Sequence, residues 1–255
     1  MLSKVVISLK IQDMRRRIWI YVGFFILLLA GFYLLLPKEM LHKSSLPLIN
    51  DVQDFSFINQ DGKEVSGKTV EGKVYVAEYF FTTCKGICPM MNANMRRVYD
   101  AFKDEQDFLI LSHTCMPETD SVPLLKAYEA KMINGTLEKS SSGAYKIRYD
   151  SATNQEKQTI NHNWDFVTGD KAALYKMARQ SYLVDNNKPD SLQAIGDQFI
   201  HTQFFALVDK NRRVRGIYDG LKEDEIQKLL GDIKELLKEK VDHKRFMDGF
   251  NNNPN

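Results

Sequence analysis

Residues 18–36 read IWIYVGFFILLLAGFYLLL, without one charged side chain. A helix over this run, rising ~1.5 Å per residue, reaches across a hydrocarbon core of ~30 Å. Arg15, Arg16 and Arg17 stand directly before it, with Lys4 and Lys10 further back, while Lys38, Glu39 and Lys43 behind it nearly balance. Such an asymmetry keeps the arginine cluster in the cytoplasm and sends the rest of the chain across. Trp19, Tyr21 and Tyr33 lie near the two ends, where interfacial aromatics belong. A cleaved signal peptide would have a shorter apolar stretch followed by small residues. Here the run ends in Leu34, Leu35, Leu36, Pro37, Lys38 and Glu39, and no cysteine lies nearby for lipid attachment. The expectation is an uncleaved anchor at 18–36, a cytoplasmic N-terminus at 1–17 and a tether at 37–50. With little room for a transit peptide, the expected location is a bacterial inner membrane, the soluble part facing the periplasm.

Residues 51–241 remain for one folded domain, with a frayed tail at 242–255. The formal net charge is +2, and no basic stripe interleaves with aromatics, so nucleic acid is excluded as a partner. Residues 54–57 alternate and Asn59 to Gly62 carry a turn signal. Residues 73–81, KVYVAEYFF, are β-branched and aromatic and predict a buried strand. A helix is predicted over 89–103, with Met91, Met95, Val98 and Phe102 on one face. A second core strand covers 108–112, and Asp120 is a candidate cap for a helix reaching Met132. Residues 133–161 turn polar and read as a surface insertion with a hairpin near Ser142 and Gly143. Further on, a strand at 164–167, a helix at 170–183, a hairpin pairing 203–209 with 214–218, and an amphipathic helix at 223–241 complete the domain. Strands alternating with helices predict an α/β fold with a thioredoxin-like central sheet flanked by helices.

Three cysteines occur, Cys84, Cys88 and Cys115, too few for a disulfide scaffold. A close pair beside Pro89 points to a redox or metal site. Pro89 suits the first helical position. Cys88 would then cap the helix, where the positive end favours thiolate. Two thiolates are soft donors for Cu(I) or Zn(II). A further ligand must come from His42, His113, His162, His201 or His243. His42 lies in the tether and His243 near the tail, whereas His201 directly precedes a core strand.

These elements resemble, in order, the Sco/SenC family of copper chaperones for cytochrome c oxidase assembly. The matching pieces are the anchor, Thr83-Cys84-x-x-x-Cys88-Pro89, Pro117-Glu118-Thr119-Asp120, Trp164 with Thr168-Gly169-Asp170, and His201 before Phe205-Ala206-Leu207-Val208-Asp209. The resemblance spans roughly 50–240 and implies Cys84, Cys88 and His201 as copper ligands. The chain departs from the family in having Lys85 where proline often follows the first cysteine. It also has Met116 where an acidic residue is usual. Cys115 is no family ligand position; it reads as a packed thiol, with an auxiliary ligand or resolving role as the alternative. Met90, Met91 and Met95 read as core filler rather than ligands.

The resemblance implies a metallochaperone rather than an enzyme. It would bind Cu(I), with Cu(II) as the second oxidation state, and serve the copper-bearing subunit of cytochrome c oxidase. Other copper chaperones and thioredoxin-like reductants are expected further partners. The competing reading is an extracytoplasmic thiol–disulfide oxidoreductase or redox sensor using a Cys84–Cys88 disulfide. Dithiol exchange enzymes usually carry Cys-x-x-Cys, and His201-Thr202-Gln203 lacks the proline that thioredoxins place opposite the pair. Both points favour metal.

Overall fold

The computed structural model describes residues 2–35, 44–141, 143–150, 159–185 and 202–241. It divides into two compact units, Met1–Lys43 and Ser44–Asn255. The first holds one helix, α1 (Leu2–Leu35). Trp19, Phe24, Phe25, Leu27 and Phe32 are all exposed on it, so its apolar side chains point in every direction. Described side chains of the apolar run end at Tyr33. Among the described residues no helix is long and apolar enough to cross a membrane. The anchor expected over 18–36 therefore remains a proposal.

In the second unit the chain runs β1 (Asn50–Asp51), β2 (Ser56–Asn59), β3 (Glu64–Ser66), β4 (Val74–Phe80), α2 (Cys88–Phe102) and β5 (Phe108–Thr114). There follow α3 (Val122–Asn134), the hairpin β6 (Thr136–Lys139) and β7 (Tyr145–Arg148), β8 (Trp164–Thr168) and α4 (Lys171–Lys176). After β9 (Phe204–Val208) and β10 (Arg213–Asp219) comes α5 (Glu223–Leu237). Eight strands form one sheet in the order β1-β10-β9-β4-β5-β8-β2-β3. β4, β5 and β8 are parallel, and β9 runs antiparallel to β4. This mixed sheet with helices packed on both faces matches the expected α/β architecture.

β4 lies near the middle of the sheet and buries all seven of its residues. Because strand side chains alternate between faces, Val74, Val76 and Phe80 join Met91, Met95, Val98 and Phe102 of α2 in one core. Ile226, Leu229, Ile233 and Leu236 of α5 close that layer. Tyr75, Ala77 and Tyr79 face the other way, onto Leu174, Ala178 and Tyr182. Each such buried apolar side chain contributes about 1.5–3 kcal/mol. The spacing of the α2 face is the one expected from the sequence.

Several boundaries differ for identifiable reasons. Asp120 does not cap α3; Ser121 is the cap residue, and Asp120 instead accepts hydrogen bonds from Thr82 and Thr114. Asp170 does cap its helix, accepting from the Ala173 N–H at 2.8 Å. That helix passes into a π-helical turn over Met177–Ser181. α5 stops at Leu237, and Glu239 beyond it pairs with Arg215 at 2.9 Å and accepts from the Ser44 N–H at 2.7 Å. The insertion forms the expected hairpin, turning at Gly143, whose φ of 88° suits a residue without Cβ. It docks on α2, with the Arg97 guanidinium 4.2 Å from the Tyr145 ring centroid. Ser142 and residues 151–158 of the insertion, residues 37–43 of the tether, and the tail at 242–255 lie outside the described residues.

Candidate metal centre

β4 carries the chain into the turn that holds Cys84, whose N–H donates to the Phe81 carbonyl at 3.2 Å. α2 begins on Cys88 itself, with Ile87 at the cap and Pro89 in the first turn. Cys88 is thus the first helical residue rather than the cap residue expected from the sequence. Cys84 is half-buried and Cys88 buried, and neither they nor Cys115 is in a disulfide. Cys84 and Cys88 stand four residues apart across this turn, and both pack against the core on the α2 side of the sheet.

The thiolate expected at Cys88 is not favoured. Burial pushes the Cys88 thiol up, and the neighbouring Cys84 thiol and the Glu78 carboxyl push the same way. Desolvation of a charged sulfur outweighs the positive helix end. Below the pair lies a residue the sequence reading passed over. Glu78 is completely buried in β4. Ser112 Oγ donates to its Oε1 at 2.6 Å, and Trp164 Nε1 donates to Ser112 Oγ at 2.8 Å. Glu78 Oε2 accepts no hydrogen bond among the described residues. Burial raises its pKa to about 8, against the opposing pull of Ser112. At neutral pH it is a protonated acid. The readable sign was one carboxylate inside an otherwise uncharged strand, VYVAEYF.

The remaining candidates fall in different places. His201 lies outside the described residues, as do His42 and His243. The chain entering β9 is tied to α2, because Asn94 Nδ2 donates to the Gly220 carbonyl at 2.8 Å and Gly220 N–H donates to Gln203 O at 2.7 Å. His113 points to the opposite face of β5, stacked on Tyr79 with ring centroids 5.0 Å apart. Burial lowers its pKa to about 4. His162 lines a surface cavity of about 290 Å³ with Arg96, Lys103 and Asn134. Met91 and Met95 are core, as expected, and Met90 is exposed. Cys115 packs in the core of the far face, and burial pushes its thiol up. Among the described residues no group of three or more His, Cys, Asp or Glu side chains could hold a metal ion. Cys115 is therefore not assembled with the pair as a third ligand. Two adjoining thiols remain, a soft donor set that fits copper and needs a further ligand.

A family model described as SCO1/SenC matches residues 47–166 and 150–238. The SCO1 protein homolog of Bacillus subtilis (strain 168) is 31% identical over 190 residues, 74% of this chain and 83% of that protein. A SCO1/SenC family lipoprotein from Bacillus anthracis str. Ames aligns with a TM-score of 0.56 at 28% identity, covering 76% of this chain and 99% of that one. BsSco is described as having a disulfide switch and as a member of the Sco family of cytochrome c oxidase assembly proteins. It aligns with a TM-score of 0.56 at 29% identity, over 76% of this chain and 98% of its own. Bradyrhizobium japonicum ScoI, solved with copper bound, shares the fold with a TM-score of 0.50 at 19% identity, covering 73% and 99%.

Proposed function

The chain belongs to the SCO1/SenC family, and from that premise we propose that it is a membrane-anchored copper metallochaperone. Copper is the cargo, held as Cu(I), with Cu(II) as the second oxidation state, by Cys84, Cys88 and His201. The observation that carries this reading is the pair of neighbouring thiols on the α2 side of the sheet, Cys84 half-buried and Cys88 buried. Soft thiolates suit Cu(I). Partial exposure of Cys84 lets a partner's thiolate reach the ion before Cys88 lets go. Loading displaces the thiol protons, so binding is coupled to pH. For His201, support comes from its match to the family motif and from the tie between α2 and the chain entering β9.

The proposed client is the copper-bearing subunit of cytochrome c oxidase, at its dinuclear copper site. BsSco's place among the oxidase assembly proteins supports this. Other copper chaperones and thioredoxin-like reductants are the proposed upstream partners. The uncharged run 18–36 behind Arg15, Arg16 and Arg17 supports a single-pass anchor in a bacterial inner membrane, with the folded unit in the periplasm. The lipoprotein relative supports attachment to a membrane as well.

A second reading uses the same pair as a thiol–disulfide oxidoreductase or redox sensor. Two neighbouring thiols on one side of the sheet favour it, as does the disulfide switch of BsSco. Anaerobic Cu(I) titration of the full chain in detergent, beside Cys84→Ser, Cys88→Ser and His201→Ala, separates the readings. One Cu(I) bound far more tightly by the unaltered chain is expected. Equal affinity in the variants would sink the chaperone reading. Oxidase activity of a deletion strain under limiting copper then distinguishes delivery from sensing.

A further inference from the structure

Asp120 is buried, at 1% exposure, and its carboxylate joins three segments at the sheet end that carries the thiols. Its Oδ2 accepts from the Thr82 N–H at 3.2 Å and its Oδ1 from Thr82 Oγ1 at 2.5 Å. Thr114 Oγ1 donates to Oδ2 at 2.5 Å. Thr82 stands two residues before Cys84, and Thr114 directly before Cys115. The segment between Thr114 and Asp120 is closed on itself. Met116 N–H donates to Thr114 Oγ1 at 3.0 Å, and Asp120 N–H donates to the Met116 carbonyl at 2.9 Å.

Strand alternation gives this clamp a consequence. Thr114 pairs with Phe80 at the end of the β4–β5 ladder, and Phe80 faces α2. Cys115, the next residue, extends the ladder through its N–H to the Phe80 carbonyl at 2.8 Å. With Thr114 held on the α2 side, the period of two sends Cys115 to the opposite side. There it packs with the core that contains Tyr79 and Tyr175, and Tyr175 Oη donates to its carbonyl at 3.0 Å. Cys88 and Cys84 lie on the α2 side. Yet Cys115 follows the end of β5, which runs parallel to β4, so it leaves the sheet at the same end as the turn that holds Cys84 and Cys88. Three thiols therefore share one end of the sheet, and the side chains on it keep one of them turned away.

We propose that Asp120 decides which disulfide this chain forms, by holding Thr114 toward α2 and so turning Cys115 away from the Cys84–Cys88 pair. Asp120 acts as a positioning residue; it touches neither sulfur. A small-molecule disulfide such as oxidised glutathione supplies the oxidising equivalents. One cysteine thiolate attacks a glutathione sulfur and expels a glutathione thiolate. The second cysteine then attacks the protein-bound sulfur and expels the other glutathione. Two protein thiols become one S–S bond, and the two electrons and two protons leave on two glutathione molecules. Disulfide geometry demands that the second sulfur approach within a narrow range. The clamp grants that approach to Cys84 and Cys88 and denies it to Cys115. Without the clamp only the backbone bonds of Cys115 to Phe80 and Tyr175 hold the strand end, and Cys115 competes.

The test uses the metal-free full chain in detergent, so it stands or falls apart from copper binding. The protein is equilibrated with oxidised glutathione, quenched in acid, alkylated and digested, and its disulfides are mapped by mass spectrometry. In the unaltered chain Cys84–Cys88 is expected to exceed every Cys115-containing disulfide by roughly tenfold or more, the scale set by hydrogen bonds to a charged group. In Asp120→Ala and Thr114→Val, Cys115-containing disulfides are expected to reach a comparable level. Adding Cys115→Ser to either variant is expected to restore Cys84–Cys88 as the sole product. Substantial Cys115 pairing in the unaltered chain overturns the proposal. So does an Asp120→Ala protein, folded by circular dichroism, that yields Cys84–Cys88 alone. Should Asp120→Ala fail to fold, Thr114→Val decides, because it removes a single hydroxyl and leaves the Thr82 contact in place.

Discussion

On the α2 side of β4 and β5, buried polar atoms run in a line from Trp164 Nε1 through Ser112 Oγ to Glu78, near the buried Cys88 thiol. One residue along the same strands, on the far side, His113 sits among Tyr79, Phe57 and Tyr182. Both faces bury a titratable group completely, and burial neutralises both: a carboxyl by protonation, an imidazole by deprotonation. The difference lies in their neighbours. The acid lies within electrostatic reach of a reactive thiol, while the imidazole is enclosed by aromatic rings. A one-residue step in a strand thus separates a chemical face from a packing face.

The largest expected effect breaks that division at the sulfurs. Cys88→Ser should weaken Cu(I) binding by more than the roughly 10–100-fold that an outer-shell partner costs, whereas Cys115→Ser should leave it nearly unchanged. Competitive titration against a Cu(I) chelator reads both, and an equal loss at Cys115 would erase the distinction between faces.

Next come opposite responses of stability to pH. Glu78 has its folded pKa raised to about 8 from an ordinary 4.5. Its stabilising contribution is complete below the lower value and is lost as pH rises through the higher. Glu78→Gln should flatten that decline between about 4.5 and about 8. His113 has its folded pKa lowered to about 4 from 6.5. Its contribution is complete above the ordinary value and is lost as pH falls toward the folded one, so His113→Phe should flatten the acid limb. Each change is on the order of a few kcal/mol across its window. Urea unfolding at a series of pH values checks them, and both variants acting on one limb would contradict the assignment.

Smaller still is Trp164→Phe, which keeps an aromatic ring but removes the indole donor to Ser112 together with part of the buried ring volume. About 1–3 kcal/mol of stability should go with that buried bond, read from the urea midpoint. Arg97→Ala gives the scale of the outer surface. It breaks the paired bonds to Glu223 at 2.7 Å and the stacking on Tyr145. With Glu223 largely exposed, the loss should be about 1 kcal/mol or less. A larger loss by thermal melting would mean the hairpin supports the domain more than its exposure suggests.

Local pattern made much of this legible. The β-branched and aromatic run of β4 and the one-sided spacing of Met91, Met95, Val98 and Phe102 each involve residues within a few positions of one another. Cys84 and Cys88 were legible as a pair for the same reason, since four residues of chain leave few arrangements. The polar insertion showed its hairpin through a glycine, though nothing local indicated that it would rest on Arg97.

What only the tertiary structure decided involves partners far apart in sequence. Asp120 looks like a helix cap by position, yet its carboxylate goes to Thr82, 38 residues back. Glu78 meets Ser112 across 34 residues, and Ser112 meets Trp164 across 52. The state of the Cys88 sulfur was misjudged from the helix start alone, because burial is set by the whole domain while a cap is set by its own turn. A residue's periodicity is written in its neighbours. Its solvent and its hydrogen-bond partners are chosen by the topology that stacks β4, β5 and β8 in parallel.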